Sequence, residues 1–344
     1  MKFLILNDSH FSRGEGGQST FIQNLHEELI KHAEIKYLYL PESFFRQRYV
    51  PIRLLYFIRV WIFCISFQHK KWDYIISHTP EASYAISFFK TPFCHIFHGN
   101  NNPLTKSKFW YGRYLMKVFD HFEERIKKKA LICYTVGEPR VDAKRVYVPV
   151  RKQILSGNIA ERSGLFYAGR LESGKDIKRT IEIFCGMSQN FKEGNKLHII
   201  GSGTQEEYLK RFVAMKGLSD FVVFYGHMPN KVTLELINSL SLLVMTSLFE
   251  GFPMIIAESL SLGIPVVTTD VGSISDVVKN GYNGYCLPLS ADNELFRKSI
   301  HKILQDYDKF SSNALDSSNV FSPQNLCNEI LSFFLSSSFV INNG

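Results

Sequence analysis

Ser241 to Pro288 reads SLLVMTSLFEGFPMIIAESLSLGIPVVTTDVGSISDVVKNGYNGYCLP, and no other stretch limits the fold so narrowly. Leu242 to Met245 is an apolar run of strand length, ended by Thr246 and Ser247. Glu250-Gly251-Phe252-Pro253 follows, and Pro253 suits the first position of a helix, where its missing N–H costs nothing. That helix is expected to run through Ala257 and Leu260 to Gly263, a favourable residue just past a helix end, with Pro265 blocking continuation. Val266 to Thr269 reads as the next buried strand. Strand, tight loop, helix and strand in this order imply a parallel sheet with a helix N-terminus opening at its C-terminal edge. Free N–H groups and the positive dipole end make that point an anion site.

Two carboxylates mark the same unit. Glu250 lies in the loop and Glu258 in the helix, with seven residues between them. A carboxylate accepts hydrogen bonds from both hydroxyls of a vicinal diol, so a pair beside a phosphate site suits a nucleotide sugar. On spacing alone the pair also fits a solvated helix face. With the flanking Gly-Phe-Pro and the sequel GIPVVTTDVGSISDVVKNGYNGYCLP, the stretch resembles the Glu-x7-Glu signature of the retaining GT-B glycosyltransferases of the family 4, or group 1, type. The resemblance implies an α/β chain of the GT-B class, with two doubly wound Rossmann-like parallel-sheet domains facing a cleft.

Whole-chain properties agree with two α/β domains. The chain has 344 residues, longer than one typical domain, and its 45% hydrophobic content allows a full core. Six widely spaced cysteines form no CxxC pair, which argues for reduced thiols in a cytosolic protein and against a disulfide scaffold or zinc site. MKFLILND is too short an apolar run for a signal peptide before Asp8 interrupts it, and no run reaches the length of a membrane span. Charge is uneven. Residues 1–150 hold 22 Lys and Arg against 13 Asp and Glu, the remainder 18 against 19. Only the first half is thus expected to face an anionic surface or partner.

In that half, Lys2 to Leu6 reads as the first strand and Ser19 to His32 as a helix, with a glycine-rich loop between them. Gly14-x-Gly16 is a weak dinucleotide fingerprint because Ser19 stands where the third glycine belongs. Gly16-Gly17 instead matches the pair that, in the resembled family, closes against donor phosphate or acceptor; a plain tight turn is the other reading. Ile35 to Leu40, Tyr74 to Ser77, Phe93 to Phe97, Leu131 to Thr135 and Arg145 to Val148 read as further strands. His98 follows a strand end and precedes Gly99, where a site belongs in an open α/β sheet. The resemblance places a histidine there, close to the donor's reacting centre; His95 and His10 are alternatives, as is a structural role. Residues 44–72 interleave Arg46, Arg48, Arg53 and Arg59 with aromatics, without one helical face. A long helix is expected over Pro103 to Lys129, with Lys106, Arg113 and Lys117 on one face beside Trp110 and Tyr114. Such a face suits a headgroup interface or plain solvent.

The polar stretch Val150 to Gly164 reads as a linker, with domains expected over 1–155 and 156–322 and a C-terminal segment, 323–344, crossing back to the first. Leu165 to Ala168 is a strand, followed by Gly169-Arg170-Leu171-Glu172-Ser173-Gly174-Lys175. This resembles the family's Gly-Arg-Leu…Lys loop, which implies that Arg170 and Lys175 grip the donor diphosphate. The chemistry explains the need: a fixed guanidinium and ammonium stabilise the charge gained by the leaving nucleoside diphosphate without a metal. The loop departs from the usual Lys-Gly, since Gly174 precedes Lys175 and Asp176 follows. Gly201-Ser202-Gly203 resembles the family's Gly-x-Gly turn, and Gly226-His227-Met228-Pro229 the loop whose backbone meets the base.

The resemblance therefore implies a retaining hexosyltransferase, with His98, Glu250, Arg170 and Lys175 in catalysis. Gly16, Gly17, Gly201, Gly203, Met228, Gly251, Phe252, Pro253, Met254, Ile255 and Glu258 would bind the donor. Glu258 takes the ribose diol, and Glu250 with the 251–255 backbone takes sugar and phosphates. The partners implied are a UDP- or GDP-linked sugar, a glycan or lipid-linked acceptor and an anionic membrane surface, with no nucleic acid, metal or other cofactor. By fold-level analogy the setting is bacterial surface polysaccharide synthesis, lipopolysaccharide or capsule, on the inner face of the cytoplasmic membrane. A dinucleotide-dependent oxidoreductase needs a better fingerprint than residues 14–19 provide. A non-catalytic sugar-binding relative would lack one of these site residues, and none is missing.

Overall fold

The computed structural model describes residues 1–8, 17–41, 52–98, 112–137, 140–150 and 161–341. The chain divides into two compact units, 1–149 with 323–344, and 150–322.

Unit 1 is built on six short strands: β1 (Lys2–Leu6), β2 (Glu34–Leu38), β3 (Tyr74–Ser77), β4 (Phe93–Phe97), β5 (Ile132–Val136) and β6 (Lys144–Val146). All pair in parallel, in the order β2-β1-β3-β4-β5-β6. Strands such as Phe3-Leu4-Ile5-Leu6 are apolar without alternation because both faces of a parallel sheet are covered. One face carries α1 (Gly17–Leu29) and the last helix, Pro323–Ile341. Phe334 of that helix meets Tyr74 at 4.4 Å and Phe3 at 5.6 Å, and the Tyr74 hydroxyl donates to the Phe334 carbonyl at 3.1 Å. A second core joins Leu4, Leu6, Ile75 and Phe93 to Tyr56, Val60 and Cys64 of α2 (Ile52–Ile65) and to Ala82 and Ile86 of α3 (Pro80–Ile86). Ile126 of α4 (Gly112–Lys129) closes it.

Several boundaries differ from the sequence reading for local reasons. α1 stops at Leu29 because the Glu34 amide bonds to the Met1 carbonyl and draws the chain into β2, leaving residues 30–33 for the turn. The stretch rich in arginine and aromatics is helical over Ile52–Ile65, and Arg53 leaves its solvent face to meet the buried Glu81 at 2.6 Å. The expected C-terminal segment is one helix over Pro323–Ile341. Of the expected basic face, Lys117 is exposed on α4; Lys106 and Trp110, and the side chains of Arg113 and Tyr114, lie outside the described residues.

Unit 2 repeats the design with β7 (Leu165–Ala168), β8 (Leu197–Ile200), β9 (Val222–Gly226), β10 (Leu242–Met245), β11 (Val266–Thr269) and β12 (Gly284–Leu287). The order is β12-β11-β10-β7-β8-β9, all parallel. The chain winds outward from β7 to β9 and returns to β10 on the other side of β7. The loops leaving β7 and β10 therefore part company between neighbouring strand ends. That reversal is where an open α/β sheet leaves a crevice for ligand.

Candidate functional site

Three loops leave the β7, β8 and β9 ends side by side. The Gly169 amide bonds to the Ile200 carbonyl and the Leu171 amide to the Ser202 carbonyl, each at 2.9 Å, and Gly201 donates to Gly226 at 2.8 Å. Backbones this close exclude side chains. A Cβ on Gly201, whose φ is +128°, would collide with the Gly169 carbonyl oxygen, and one on Gly203 would collide with Leu171. These two glycines thus seat the turn that carries Arg170, a role the Gly-x-Gly resemblance had not supplied. Arg170 is exposed at the strand edge, with its carbonyl held by the Tyr167 hydroxyl at 3.0 Å. Met228 is half-buried in the loop after β9.

From the other side of the reversal comes the loop after β10. Thr246 donates to the Asp176 carbonyl at 2.7 Å, Thr269 to the Ser247 carbonyl at 2.6 Å, and the Leu248 amide to the Gly174 carbonyl at 2.9 Å. These bonds bring the two loops into register, and their charged residues meet. Lys175 Nζ lies 2.6 Å from Glu250 Oε2, while Ser247 Oγ donates to Glu250 Oε1 at 2.8 Å. Both glutamate oxygens are engaged, and the pair is largely shielded from water, with 18% and 9% of the side chains exposed. Gly174, where the family pattern departs, packs against the Phe249 ring, which a Cβ there would have to displace.

The helix that follows, α5 (Met254–Ser261), begins one residue later than expected. Pro253 precedes it with an extended backbone (φ −76°, ψ 123°), and no side chain caps the helix. The first turn at Met254 and Ile255 therefore has only the helix dipole and its own amides to offer an anion. Gly251 is exposed and its carbonyl accepts from Ser273 Oγ at 3.1 Å. Phe252 is half-buried against Phe321 at 5.7 Å. Glu258 sits inside α5, 8% exposed, and Asn230 Nδ2 donates to its Oε1 at 2.8 Å. Burial raises the Glu258 carboxyl above its ordinary range, and the Asn230 bond draws it partly back. Asn230 opens the helix after β9, and nothing in the sequence reading marked it.

Unit 1 holds the histidines. His98 follows β4 directly, and its Nε2 lies 2.9 Å from Nδ1 of His78, the residue directly after β3. Phe21 meets both rings edge-on, at 5.2 Å and 5.9 Å. Burial holds the His98 imidazole down to about 3, and burial followed by the neighbouring His98 holds His78 well below its usual value. Both rings are neutral near pH 7, so one nitrogen of the pair carries a hydrogen and the other accepts it. His78 went unmarked in the sequence reading; its place one residue past β3 was the available signal. His95 is fully buried inside β4 and bonds Ser83 at 2.7 Å, which makes it structural. His10 and Gly16 lie outside the described residues. Gly17 opens α1, and nearby Gln18 Nε2 donates to Asn7 Oδ1 at 3.0 Å. Among the described residues no three His, Cys, Asp or Glu side chains are grouped to hold a metal ion.

The buried histidines set an acid limit for unit 1. His78, His95 and His98 are held neutral in the fold but protonate freely when unfolded, near pH 6.5. The unfolded chain therefore binds more protons below pH 6.5, and stability falls as pH drops from there towards 3. The slope is at most on the order of 1.4 kcal/mol per pH unit for each histidine. Urea unfolding of the whole chain followed between pH 7 and pH 4 is expected to show the loss, reduced in His95→Gln; a flat profile would contradict the buried-neutral assignment.

Residues 156–316 match the family described as Glycosyl transferases group 1. The lipopolysaccharide 1,6-galactosyltransferase of Salmonella typhimurium is 30% identical over 181 residues, 51% of this chain and 48% of that protein. The Escherichia coli protein of the same name is 34% identical over 165 residues, 46% of this chain and 45% of its own. The chain spans about half the length of these curated relatives in the match. Two solved structures match nearly end to end. The apo lipopolysaccharide outer core galactosyltransferase WaaB has a TM-score of 0.66 at 18% identity, covering 96% of this chain and 99% of that one. Anabaena HepE in complex with UDP has a TM-score of 0.70 at 16% identity, covering 98% and 100%. At such identities the likeness is one of fold. The second half of the chain thus matches the glycosyl transferases group 1 model, and the chain as a whole has the GT-B fold.

Proposed function

We propose that this chain transfers a hexosyl unit from a nucleotide sugar, a UDP-hexose in preference to a GDP-linked one, to a hydroxyl of a lipid-linked glycan in lipopolysaccharide or related surface polysaccharide synthesis. The observation that carries the reading is the Lys175–Glu250 pair joining the loops after β7 and β10 at the reversal, with Arg170 exposed on the first of these loops and the uncapped α5 N-terminus following the second. The names of the galactosyltransferase relatives and of the UDP-bound neighbour support the choice of sugar transfer and of UDP.

In this reading unit 2 holds the donor and unit 1 the acceptor. Arg170, Lys175 and the amides of Met254 and Ile255 receive the diphosphate. Glu258, oriented by Asn230, accepts from the ribose hydroxyls, and Gly251, Phe252 and Met228 border the base and sugar. The bond from the anomeric carbon to the β-phosphate oxygen breaks, and the acceptor oxygen bonds to that carbon on the same face. The acceptor's proton passes to the departing phosphate oxygen, and configuration is retained. Glu250 is a poor candidate for a covalent nucleophile, because Lys175 and Ser247 already occupy both its oxygens. Its role is to hold Lys175 ready, at the cost of a partner that incoming phosphate must share. The neutral His98–His78 pair of unit 1 is assigned a hydrogen-bonding rather than a charge-bearing role. Attachment is peripheral, on the inner face of the cytoplasmic membrane.

Two variants test the donor assignments. Arg170→Ala is expected to weaken nucleoside diphosphate binding by roughly 1.5–3 kcal/mol and to lower turnover further, because the contact strengthens as charge develops. Calorimetric binding of UDP unchanged from wild type would remove Arg170 from the site. Glu258→Gln keeps the shape and replaces a strong acceptor with a weaker one, so KM for the donor should rise more than kcat falls. The wild-type preference for UDP over 2′-deoxy-UDP should shrink with it; a preference left intact would show that Glu258 does not read the ribose.

A further inference from the structure

We propose that the outward face of α2 in unit 1 docks on an anionic phospholipid surface. This sharpens the peripheral attachment proposed above and rests on that reading only for the purpose it serves. α2 packs Tyr56, Val60 and Cys64 inward. On the opposite side, where a helix of a water-facing protein carries polar groups, it presents Leu54, Ile58, Ile62 and Ile65. Their spacing of four, four and three residues makes one stripe. Phe67 and Phe88 extend it, and the six residues are between 44% and 63% exposed. Phe67 is held at a φ of 60°, a left-handed backbone that a phenylalanine rarely adopts, with its ring outward.

Cations border this apolar surface. Lys70 Nζ stands 4.7 Å from the centre of the Phe67 ring, and the Arg125 guanidinium 3.8 Å from that of Phe88. Trp61 meets Phe88 edge-on at 5.2 Å and Phe89 at 5.7 Å, which ties α2 to the segment ending in the exposed Lys90. Lys71 is exposed beside Lys70. The acid beside them in sequence, Asp73, already accepts from the Lys2 amide at 2.8 Å. An apolar stripe rimmed by cations whose stems lie on aromatic rings is the chemistry of a headgroup boundary: carbon enters the acyl edge and the charges stay with phosphate.

Length decides how the helix would lie. Its 14 residues span about 21 Å, short of a bilayer's hydrocarbon core. No described helix is long and apolar enough to cross a membrane. α2 therefore lies flat. A second copy of the chain suits the stripe less well, because a two-fold pairing would gather the same cations from both copies around one interface. This face differs from the one the sequence indicated, where arginines among aromatics and the Lys117 face of α4 carried the expectation. In the fold, Arg53 is spent on Glu81 and the outward positions of α2 are leucine and isoleucine.

The test is co-sedimentation of the full chain with phosphatidylcholine vesicles and with vesicles also containing phosphatidylglycerol, at low and high salt. Wild type should pellet with the anionic vesicles and keep part of that binding at high salt, because the apolar contact is not screened. Ile58→Ser with Ile62→Ser should lower the vesicle partition coefficient by about tenfold or more. Lys70→Ser with Lys71→Ser should bind less at low salt and approach wild type at high salt. All four positions are exposed, so folding is retained, and UDP calorimetry on each variant should equal wild type. Vesicle binding unaffected by the isoleucine changes, or absent in wild type, overturns the proposal. So does a concentration-dependent dimer in sedimentation velocity that the same changes abolish, which would assign the face to a second copy. Loss of UDP binding in wild type would strike the donor site alone and leave the vesicle result standing.

Discussion

Everything assigned to unit 2 depends on one topological constraint, the return of the chain from β9 to β10 on the far side of β7. Parallel strands deliver their loops to the same edge, but loops from strands wound in one direction all lean the same way. Reversal lets the loops after β7 and β10 separate above neighbouring strand ends and then meet through side chains. The Lys175–Glu250 pair is that meeting, and the Leu248–Gly174 and Thr246–Asp176 bonds set its register. A shielded pair of this kind adds little net stability once desolvation is counted, while removing one partner strands the other. Its presence at the ligand edge is therefore better explained by keeping an ammonium placed than by holding the fold.

The glycines around Arg170 show how far the constraint reaches. Gly201 and Gly203 lack side chains because the Gly169–Leu171 turn lies directly against them. Hydrogen bonds from 169 to 200, 171 to 202 and 201 to 226 then lock three strand-end loops into one platform. A guanidinium carried by such a turn loses little further freedom when an anion arrives. Unit 1 uses the same architecture differently: its reversal lies between β1 and β3, and the side chains past β3 and β4 are neutral imidazoles, one buried and one half-buried, rather than cations.

How much of this could be read from the sequence follows from how local each feature is. Strand, loop, helix and strand over 241–269 were legible because apolar runs, Pro253, Gly263 and Pro265 all act within a few residues. Tyr74–Ser77 and Phe93–Phe97 were read to the residue, since fully buried parallel strands are simply short apolar runs. Asn230 and His78 were missed because their partners are distant in sequence: Glu258 is 28 residues from Asn230, and His98 is 20 from His78. α2 escaped for another reason. A helix apolar on both faces has no amphipathic period to detect, so Arg53 and Arg59 broke the pattern without revealing which side was out. The end of α1 was misplaced by the capture of Glu34 into β2, a pairing with Met1 that no window of neighbours contains.

A nucleoside diphosphate bound at the β7/β10 reversal of unit 2 would cover the loops after both strands. Amide hydrogen exchange of the whole chain with and without UDP tests this placement most directly. Slowed exchange is expected over 169–176 and 247–256, the segments bearing Arg170, Lys175, Glu250 and the α5 N-terminus, with unit 1 little changed. Protection centred instead on the segment after β1, residues 8–20, would contradict it and return the chain to the dinucleotide reading.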